Sequence, residues 1–385
     1  MIAPAQRMSS IKPYVFAGLI QRKEQARAAG VDVIALDIGS PDLPPNEQIV
    51  NALVAAARHP NKHGYGGFTG TPAFRKAFAD YYSRRFEIEL HPEKEVLPLL
   101  GSKEGIYHMA FAYLNPGDVA LVPDPGYPAY VGGALLAGAI PYPMPLRRER
   151  GWLPDFNAIP ADVLSKARLM WLNYPNNPTT ATAPLSFFEE VVAFCRRHHI
   201  LLCHDNPYCD NGYDGYVAPS VLQVPGAKEI AVEFASLSKS HNMAGMRVGV
   251  LMGNAEVIKT VGTLKTNADS GPYLGIQEAA IAALSGDQAW RHAVQETYRE
   301  RRDLIVHGLR ALGCQVDVPQ ATIYVWAGIP AGFRNSAEWA EHLLAEKGIV
   351  VTPGTAFGEH GEGYVRISLG APTERIKQAL QRMSK

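Results

Sequence analysis

Short apolar runs alternate with helix-like segments between about residues 45 and 284, and this alternation most limits the possible folds. Polar residues, glycine or proline close each run; the runs cover residues 95–100, 119–122, 168–172, 200–203 and 230–234. Helical periodicity follows the first run and precedes the fourth, over 104–114 and 185–198. Continuous apolar strands that alternate with helices are typical of a mostly parallel sheet covered on both faces. We therefore predict an α/β fold.

The pattern changes near residue 287, which indicates a second unit. A long amphipathic helix is predicted over 290–312, and short strands follow it over 316–318, 323–326 and 364–368. The early strand 33–37 has no core of its own, so we expect it to join these elements. The chain of 385 residues has room for two or three domains. The predicted divisions are an N-terminal arm with part of the small domain over 1–45, a large domain over 46–286, and a small α+β domain over 287–385.

Composition and charge argue against several functions. Lys+Arg and Asp+Glu both number 37, so no net charge draws the chain to nucleic acid or to an anionic membrane. No apolar run reaches the ~18 residues of a membrane span, and residues 1–10 lack the hydrophobic region of a signal peptide. The four cysteines have no C-x-x-C spacing, which favours free thiols in the cytoplasm. His and Cys residues over 198–209 point to opposite strand faces, so we predict no metal site.

The segment 236–249 carries the strongest chemical signal. Lys239 stands just beyond a predicted strand, between Ser236, Ser238 and, eight positions later, Arg247. Desolvation and a nearby cation lower the pKa of a lysine and let its amine attack an aldehyde. In an extended segment both serines would face one way, and with Arg247 they would suit a phosphate. An aldehyde-binding lysine beside a phosphate site indicates pyridoxal 5′-phosphate. Taken alone, the motif also fits a surface lysine in a loop.

Other strand ends carry polar residues that such a site needs. Ser102 and Lys103 open a helix, where free backbone N–H groups favour an anion such as phosphate. Asn177 lies in an Asn-Pro turn and could donate to the cofactor's phenolate oxygen. Tyr127 lies in a tight turn and could stack on a pyridine ring. Each also has a purely structural interpretation as part of an ordinary turn.

Two charged residues in apolar surroundings need partners. Asp205 follows a buried strand, where a carboxylate is costly unless it is paired. A pyridinium N–H would pair with it and keep the ring an electron sink, and Tyr208 could reach the cofactor oxygen from the same turn. Arg366 stands inside an apolar strand and suits a substrate carboxylate, while Gly39 offers an unhindered amide. A structural aspartate that caps the turn is the alternative for Asp205.

Taken together and in this order, the motifs resemble those of the class I/II, fold-type I pyridoxal phosphate aminotransferases along essentially the whole chain. The matching segments are YGGFTGT (65–71), PDPGYP (123–128), NYPNNPT (173–179), DNPY (205–208), SLSKSHNMAGMRVG (236–249) and YVRISL (364–369). Within that group the chain is most similar to the LL-diaminopimelate aminotransferases. The segments that point there are 38–44, 101–105, 224–229 and 352–358. The resemblance implies a seven-stranded type of sheet in a large domain that binds pyridoxal phosphate, and a homodimer.

The resemblance also implies roles for individual residues. Lys239 would form the Schiff base and move the proton, with Asp205 at the pyridine nitrogen and Tyr208 at the phenolate oxygen. The other implied cofactor contacts are Ser102, Lys103, Tyr127, Asn177, Ser236, Ser238 and Arg247. The implied substrate contacts are Tyr14, Gly39, Lys103, Asn177 and Arg366. Tyr65 and Asn267 would reach the cofactor site of the neighbouring subunit.

Three positions depart from the pattern of that group. Thr180 stands where Gly is common, Pro207 where a small residue is usual, and Met246 where Trp is frequent. We expect these differences to affect the choice of substrate. The expected reaction is transamination from LL-diaminopimelate or an aspartate-like donor to 2-oxoglutarate, a step of lysine biosynthesis. A broad-specificity aspartate, alanine or aromatic aminotransferase and a C–S β-lyase on the same fold are the alternatives.

Overall fold

The computed structural model describes residues 2–11, 13, 15–286 and 288–385. The helices are α1 (Val15–Ala28), α2 (Glu47–Arg58), α3 (Pro72–Phe86), α4 (Ser102–Tyr113), α5 (Pro128–Leu136), α6 (Ala161–Leu164), α7 (Leu185–His198), α8 (Leu237–Ser240), α9 (Ala255–Ala268), α10 (Leu274–Ser285), α11 (Gln288–Ala311), α12 (Ser336–Lys347) and α13 (Thr373–Met383). The strands are β1 (Ile34–Ala35), β2 (Val96–Leu99), β3 (Val119–Asp124), β4 (Ile140–Pro145), β5 (Ala167–Leu172), β6 (Leu201–Asp205), β7 (Ala231–Ser236), β8 (Gly249–Gly253), β9 (Tyr324–Gly328), β10 (Ile349–Val350), β11 (Thr352–Pro353) and β12 (Tyr364–Ser368).

A seven-stranded sheet in the order β2-β8-β7-β6-β5-β3-β4 forms the centre of the molecule. β8 runs antiparallel to both of its neighbours, whereas the pairs from β7 to β4 are parallel. Apolar residues of α3, α7 and α10 pack in one core cluster, and those of α4, α5 and α9 pack in another. Helices on both faces explain why the inner strands are apolar without alternation. The predicted α/β fold is confirmed.

The sequence analysis missed several strands, β4 among them, and predicted one that does not form. β4, with the sequence Ile-Pro-Tyr-Pro-Met-Pro, was not predicted, because proline cannot donate to a strand ladder. Its position explains the composition, since β4 is an edge strand that pairs only with β3. Residues 316–318 were predicted as a strand, but only an isolated bridge from Val316 to Ala327 forms there.

A smaller group of strands and helices packs around a separate core. β11, β12 and β9 form an antiparallel sheet, and β1 pairs in parallel with β10, with Ile34 opposite Ile349. Ile34 and Leu36 share this core with residues of α11, α12 and α13. The N-terminal segment therefore packs with elements from the far end of the chain. The domain boundaries at residues 45 and 286 stay a prediction.

Across the described residues, the model contains no helix that combines the length and the apolar character needed to cross a membrane.

Candidate active site

One cavity of about 490 Å³ collects most of the predicted site residues. The carboxyl ends of β5, β6 and β7 lead directly into Asn173, Asp205 and Ser236, all of which line it. Ligands of parallel α/β sheets bind at such strand ends. The predicted residues that line the cavity are Gly39, Ser102, Lys103, Tyr127, Asn177, Asp205, Tyr208, Ser236, Ser238, Lys239, Arg247 and Arg366.

Three predicted residues are not among those lining the cavity. Tyr65 is 93% exposed, and Asn267 is exposed near the end of α9, where its Nδ2 donates to the Thr263 carbonyl at 2.9 Å. Tyr14 lies outside the described residues.

Lys239 lies in the short helix α8 and not in the predicted loop. The helix starts because the Ser236 hydroxyl accepts a hydrogen bond from the Ser238 backbone N–H at 3.2 Å. Ser236 Oγ also lies 2.9 Å from Ser238 Oγ. The two hydroxyls therefore share the cavity wall through a helical turn, and the extended segment that we predicted was wrong.

The surroundings of Lys239 lower its pKa. Burial lowers the pKa of Lys239, and the positive charges of Arg366 and Arg247 lower it further, while Tyr324 and Asp205 oppose them. Lys239 Nζ donates a short hydrogen bond to the carbonyl of Gly39. A neutral amine is the form that attacks a carbonyl group, so the site prepares Lys239 for covalent chemistry.

Asp205 has one carboxylate oxygen that is satisfied and one that is not. Tyr130 Oη donates to Oδ2 at 2.7 Å, and Asn173 Nδ2 donates to the Asp205 backbone carbonyl at 2.6 Å. Within the described residues, no group hydrogen-bonds to the buried Oδ1. Burial raises the pKa of Asp205 to about 6, against the effects of Tyr130, His204 and Lys239. A buried acceptor without a donor fits a ligand N–H, such as that of a protonated pyridine (pyridinium) ring.

A second part of the cavity wall fits an anion. Helix α4 begins at Ser102 after Gly101, whose φ of 83° favours glycine. A side chain at Gly101 would collide with the guanidinium of Arg247. Burial lowers the pKa of Lys103, and the Arg247 charge acts in the same direction. The helix N-terminus, two cations and the α8 serines together fit a phosphate group.

Arg366 is already held in a fixed orientation. Its Nη1 donates to Asn177 Oδ1 and its Nη2 donates to the carbonyl of Asp37, both at 2.9 Å. Its guanidinium carbon lies 4.2 Å from the ring centre of Tyr324 and 4.8 Å from that of Phe357. A planar guanidinium held this way suits bidentate contact with a carboxylate.

Several residues that line the cavity or contact its lining were missed from the sequence, and those with charged, amide or phenol groups are Lys23, Asp37, Tyr130, Asn173 and Tyr324. Asn173 and Asp37 directly follow apolar runs, so the rule used for Asp205 would have found them. The hydroxyl of Tyr324 lies 3.1 Å from that of Tyr208. Because Tyr324 stands in an apolar strand, its sequence position does not distinguish it from an ordinary core tyrosine. Burial alone would raise the pKa of Tyr324, but the charges of Arg366 and Lys239 outweigh it and the pKa is lowered.

A cluster near the cavity has the spacing of a metal site. Ligand atoms of Glu104, His108 and Asp269 lie within 4.8 Å of one another. The Lys265 ammonium already lies 2.6 Å from Glu104 and 2.5 Å from Asp269. Burial raises the pKa of Glu104 to about 7. Because the chain supplies its own cation here, we assign no metal to this cluster.

Comparisons with known proteins agree along nearly the whole chain. The sequence pattern of the family described as "Aminotransferase class I and II" matches residues 31–383. An LL-diaminopimelate aminotransferase of Desulforudis audaxviator is 49% identical over 379 residues, 98% of this chain and 96% of that protein. One of Moorella thermoacetica is 48% identical, over 98% of this chain and 97% of its own. The solved structure of substrate-bound BacF from Bacillus subtilis has a TM-score of 0.96 and 39% identity, and the match covers 99% and 97% of the two chains.

Proposed function

The chain belongs to the class I and II aminotransferases, which are pyridoxal phosphate-dependent transaminases, and we propose that it moves the amino group of LL-diaminopimelate or an aspartate-like donor to 2-oxoglutarate. One observation carries the proposal: a single cavity gathers a lysine with a lowered pKa, a buried aspartate with an open oxygen, and an oriented arginine. The relatives at 48–49% identity support the choice of donor.

The cofactor, when bound, supplies the electron sink that stabilises the carbanion at the substrate's α-carbon. Lys239 would hold the cofactor covalently before the substrate binds. Its amine would then remove the proton from the substrate's α-carbon and deliver it to the cofactor. Asp205 Oδ1 would keep a proton on the ring nitrogen. Tyr208 and Asn177 would donate to the ring oxygen, and Tyr127 would cover one face of the ring.

Arg366 would orient the substrate, because its two Nη groups already point in fixed directions from Asn177 and Asp37. Asn177 would then contact both the cofactor and the arginine that binds the substrate. Ser102, Lys103 and Arg247 would hold the phosphate and so fix the distance between the ring and the substrate.

We further propose a homodimer in which Tyr65 and Asn267 complete the partner's cavity. The exposure of Tyr65 and the 49% exposure of Phe68 support a covered surface there. Mixing a Lys239→Ala subunit with a Tyr65→Ala subunit should restore part of the activity, since a mixed dimer has one complete site. Dimers that mix without any recovery would contradict shared sites.

A cytoplasmic role in lysine biosynthesis is part of the same proposal. The four cysteines are free and buried, as suits a reducing compartment.

The test of the proposed function is kcat/KM across LL-diaminopimelate, aspartate, alanine and phenylalanine with 2-oxoglutarate. The diamino dicarboxylate should lead. If alanine or phenylalanine leads by tenfold, roughly 1.4 kcal/mol of transition-state preference, the broad-specificity alternative holds. Release of a sulfur product from cystathionine in preference to transamination would instead support the β-lyase.

A further inference from the structure

A buried ion pair lies in the cavity wall and has no role in the chemistry above. Lys23 of α1 and Asp37, just after β1, both line the cavity and are 6% and 5% exposed. Lys23 Nζ lies 3.4 Å from Asp37 Oδ1 and 3.3 Å from Oδ2. Two opposite charges therefore face a space that a substrate must enter.

The pair stands beside the arginine that would bind the substrate carboxylate. The backbone carbonyl of Asp37 accepts from Arg366 Nη2 at 2.9 Å. Gly39, whose carbonyl accepts from Lys239, follows two residues later, and two residues of chain span at most about 7 Å. One short segment thus contacts both Lys239 and Arg366, and Asp37 is its first residue.

The contacts of this pair are loose for their burial. Charge-assisted N–H···O bonds usually measure about 2.7–2.9 Å, and on the same helix the exposed Arg22 reaches Glu341 at 2.7 Å. Within the described part of the chain, these two long contacts are the only hydrogen bonds of the Lys23 ammonium and of the Asp37 carboxylate. An ammonium has three donors and a carboxylate about four acceptor positions, so both groups have capacity for a ligand.

Such a pair is poorly explained as a source of stability. Burying two charges costs several kcal/mol per ion, and apolar replacements are often as stable or more stable. A pair that is buried, loosely bonded and open to a substrate cavity is better explained by a ligand that carries both charges.

We propose that Lys23 and Asp37 bind the distal amino acid centre of the substrate: Lys23 takes the distal carboxylate and Asp37 the distal ammonium. The proposal rests on the proposed function and names the side chains that select a diamino dicarboxylate. Ile20, one turn before Lys23 on α1, also lines the cavity and contacts the methylene chain.

The experiment compares donors in the half-reaction, followed by the change in cofactor absorbance after each donor is mixed with the holoenzyme. Lys23→Met combined with Asp37→Asn removes both charges and leaves neither unpaired. For LL-diaminopimelate, the ratio of the rate constant to the dissociation constant should fall roughly tenfold or more in this double variant, because the distal groups lose their partners. Alanine, which has no distal group, should lose much less, so the preference for LL-diaminopimelate over alanine should fall roughly tenfold or more.

The two single variants divide the contacts between two simpler donors. Lys23→Met should lower the reactivity with 2-aminopimelate, which keeps only the distal carboxylate, and leave the reactivity with lysine unchanged. Asp37→Asn should weaken lysine, which keeps only the distal ammonium, and spare 2-aminopimelate. Arg22→Met is the matched control, since it removes an ion pair of the same helix at the surface and should change no donor.

The outcomes separate this proposal from the proposed function. A wild-type enzyme that prefers alanine to LL-diaminopimelate overturns both. A wild-type preference for LL-diaminopimelate, with equal losses for alanine and LL-diaminopimelate in the double variant, leaves the function standing and makes the pair a structural tie between α1 and residue 37. Unchanged LL-diaminopimelate kinetics in the double variant also overturns the proposal.

Discussion

Asp205 and Asp210 are five residues apart and almost equally buried, at 4% and 5% exposure, yet their surroundings are opposite. Asp205 faces the cavity with one oxygen that no described residue satisfies, and burial raises its pKa to about 6. Asp210 is not among the residues that line the cavity, and both of its carboxylate oxygens accept hydrogen bonds. The Asp205 carboxylate thus has an unsatisfied hydrogen-bond acceptor, whereas the Asp210 carboxylate is fully hydrogen-bonded.

Three side chains close the region of Asp210. Arg85 Nε donates to Oδ1 and Arg291 Nη1 to Oδ2, both at 3.1 Å, and Tyr81 Oη donates a short bond to Oδ2. Burial alone would raise the pKa of Asp210, but Arg291, Tyr81 and Arg85 outweigh it and the pKa is lowered. These contacts join α3 to α11 across the loop after β6.

Burial is therefore the same at both carboxylates, and the difference between them is unmet hydrogen bonding, which we propose marks Asp205 as the ligand-binding one. The cavity region also has a second cost: Thr180, in the loop after β5, has a φ of 62° and is β-branched. We therefore expect Asp205 and Thr180 to lower the stability of the fold, and the contacts of Asp210 to raise it. Substitutions in the two regions should separate activity from stability.

The largest effect should come from Lys239→Ala in the cavity region. The change removes both the covalent attachment and the group that moves the proton, so turnover should be lost. Steady-state transamination with a coupled assay measures it, with the exposed Lys259→Ala as control. Retained transaminase activity would place the reacting amine elsewhere.

Asp205→Asn should lower kcat by roughly 10²- to 10⁴-fold, the usual contribution of a positioned proton acceptor. Asparagine keeps the size but cannot hold a proton on the ring nitrogen. The folding stability of the apoprotein should rise in this variant, whereas kcat falls. Because the folded pKa of about 6 exceeds the ordinary ~3.9, the carboxylate lowers folding stability as pH rises between these values.

The same variant should therefore raise the apoprotein's free energy of unfolding at pH 7 and leave it unchanged near pH 4. Urea unfolding at both pH values measures this difference. Near-normal turnover together with lower stability at pH 7 would make Asp205 a structural residue like Asp210.

Asp210→Asn should lower the free energy of unfolding at pH 7 by roughly 3–5 kcal/mol, because Arg85 and Arg291 lose their counter-charge. Its lowered folded pKa means that the carboxylate stabilises the fold above its ordinary pKa and loses this effect as pH falls through the folded value. The gap to the wild type should narrow in acid. Turnover per folded molecule should stay near the wild-type value, and a selective loss of kcat would break the comparison.

Thr180→Gly should give the smallest effect, a gain of about 1 kcal/mol, because glycine adopts positive φ without the clash of a Cβ atom. Thermal unfolding of the apoprotein measures it, and Thr182→Gly, in the same loop, is the control and should not stabilise. A loss of stability at Thr180→Gly would show that the side chain contributes more than the backbone costs.

The sheet and the residues at its strand ends could be predicted from the sequence, because parallel strands end at one edge and bring successive loops together. Asn177, Asp205 and Lys239 follow from that rule and from the motif resemblance. Tyr324 and Lys23 could not be found this way, since one lies within an apolar strand and the other on a helix far from any motif. Their roles depend on packing between distant segments, which local patterns do not record.

The pairing of β1 with β10 sets a limit on how the protein can be made. Ile34 leaves the ribosome long before Ile349, its partner in the ladder. At roughly 5–20 residues per second, the wait is on the order of tens of seconds. During this time β1 has no partner strand, so its backbone edge beside the apolar Ile34 and Leu36 is open to chaperones. The segment that carries Gly39 is thus synthesised long before the strand that holds β1 in place.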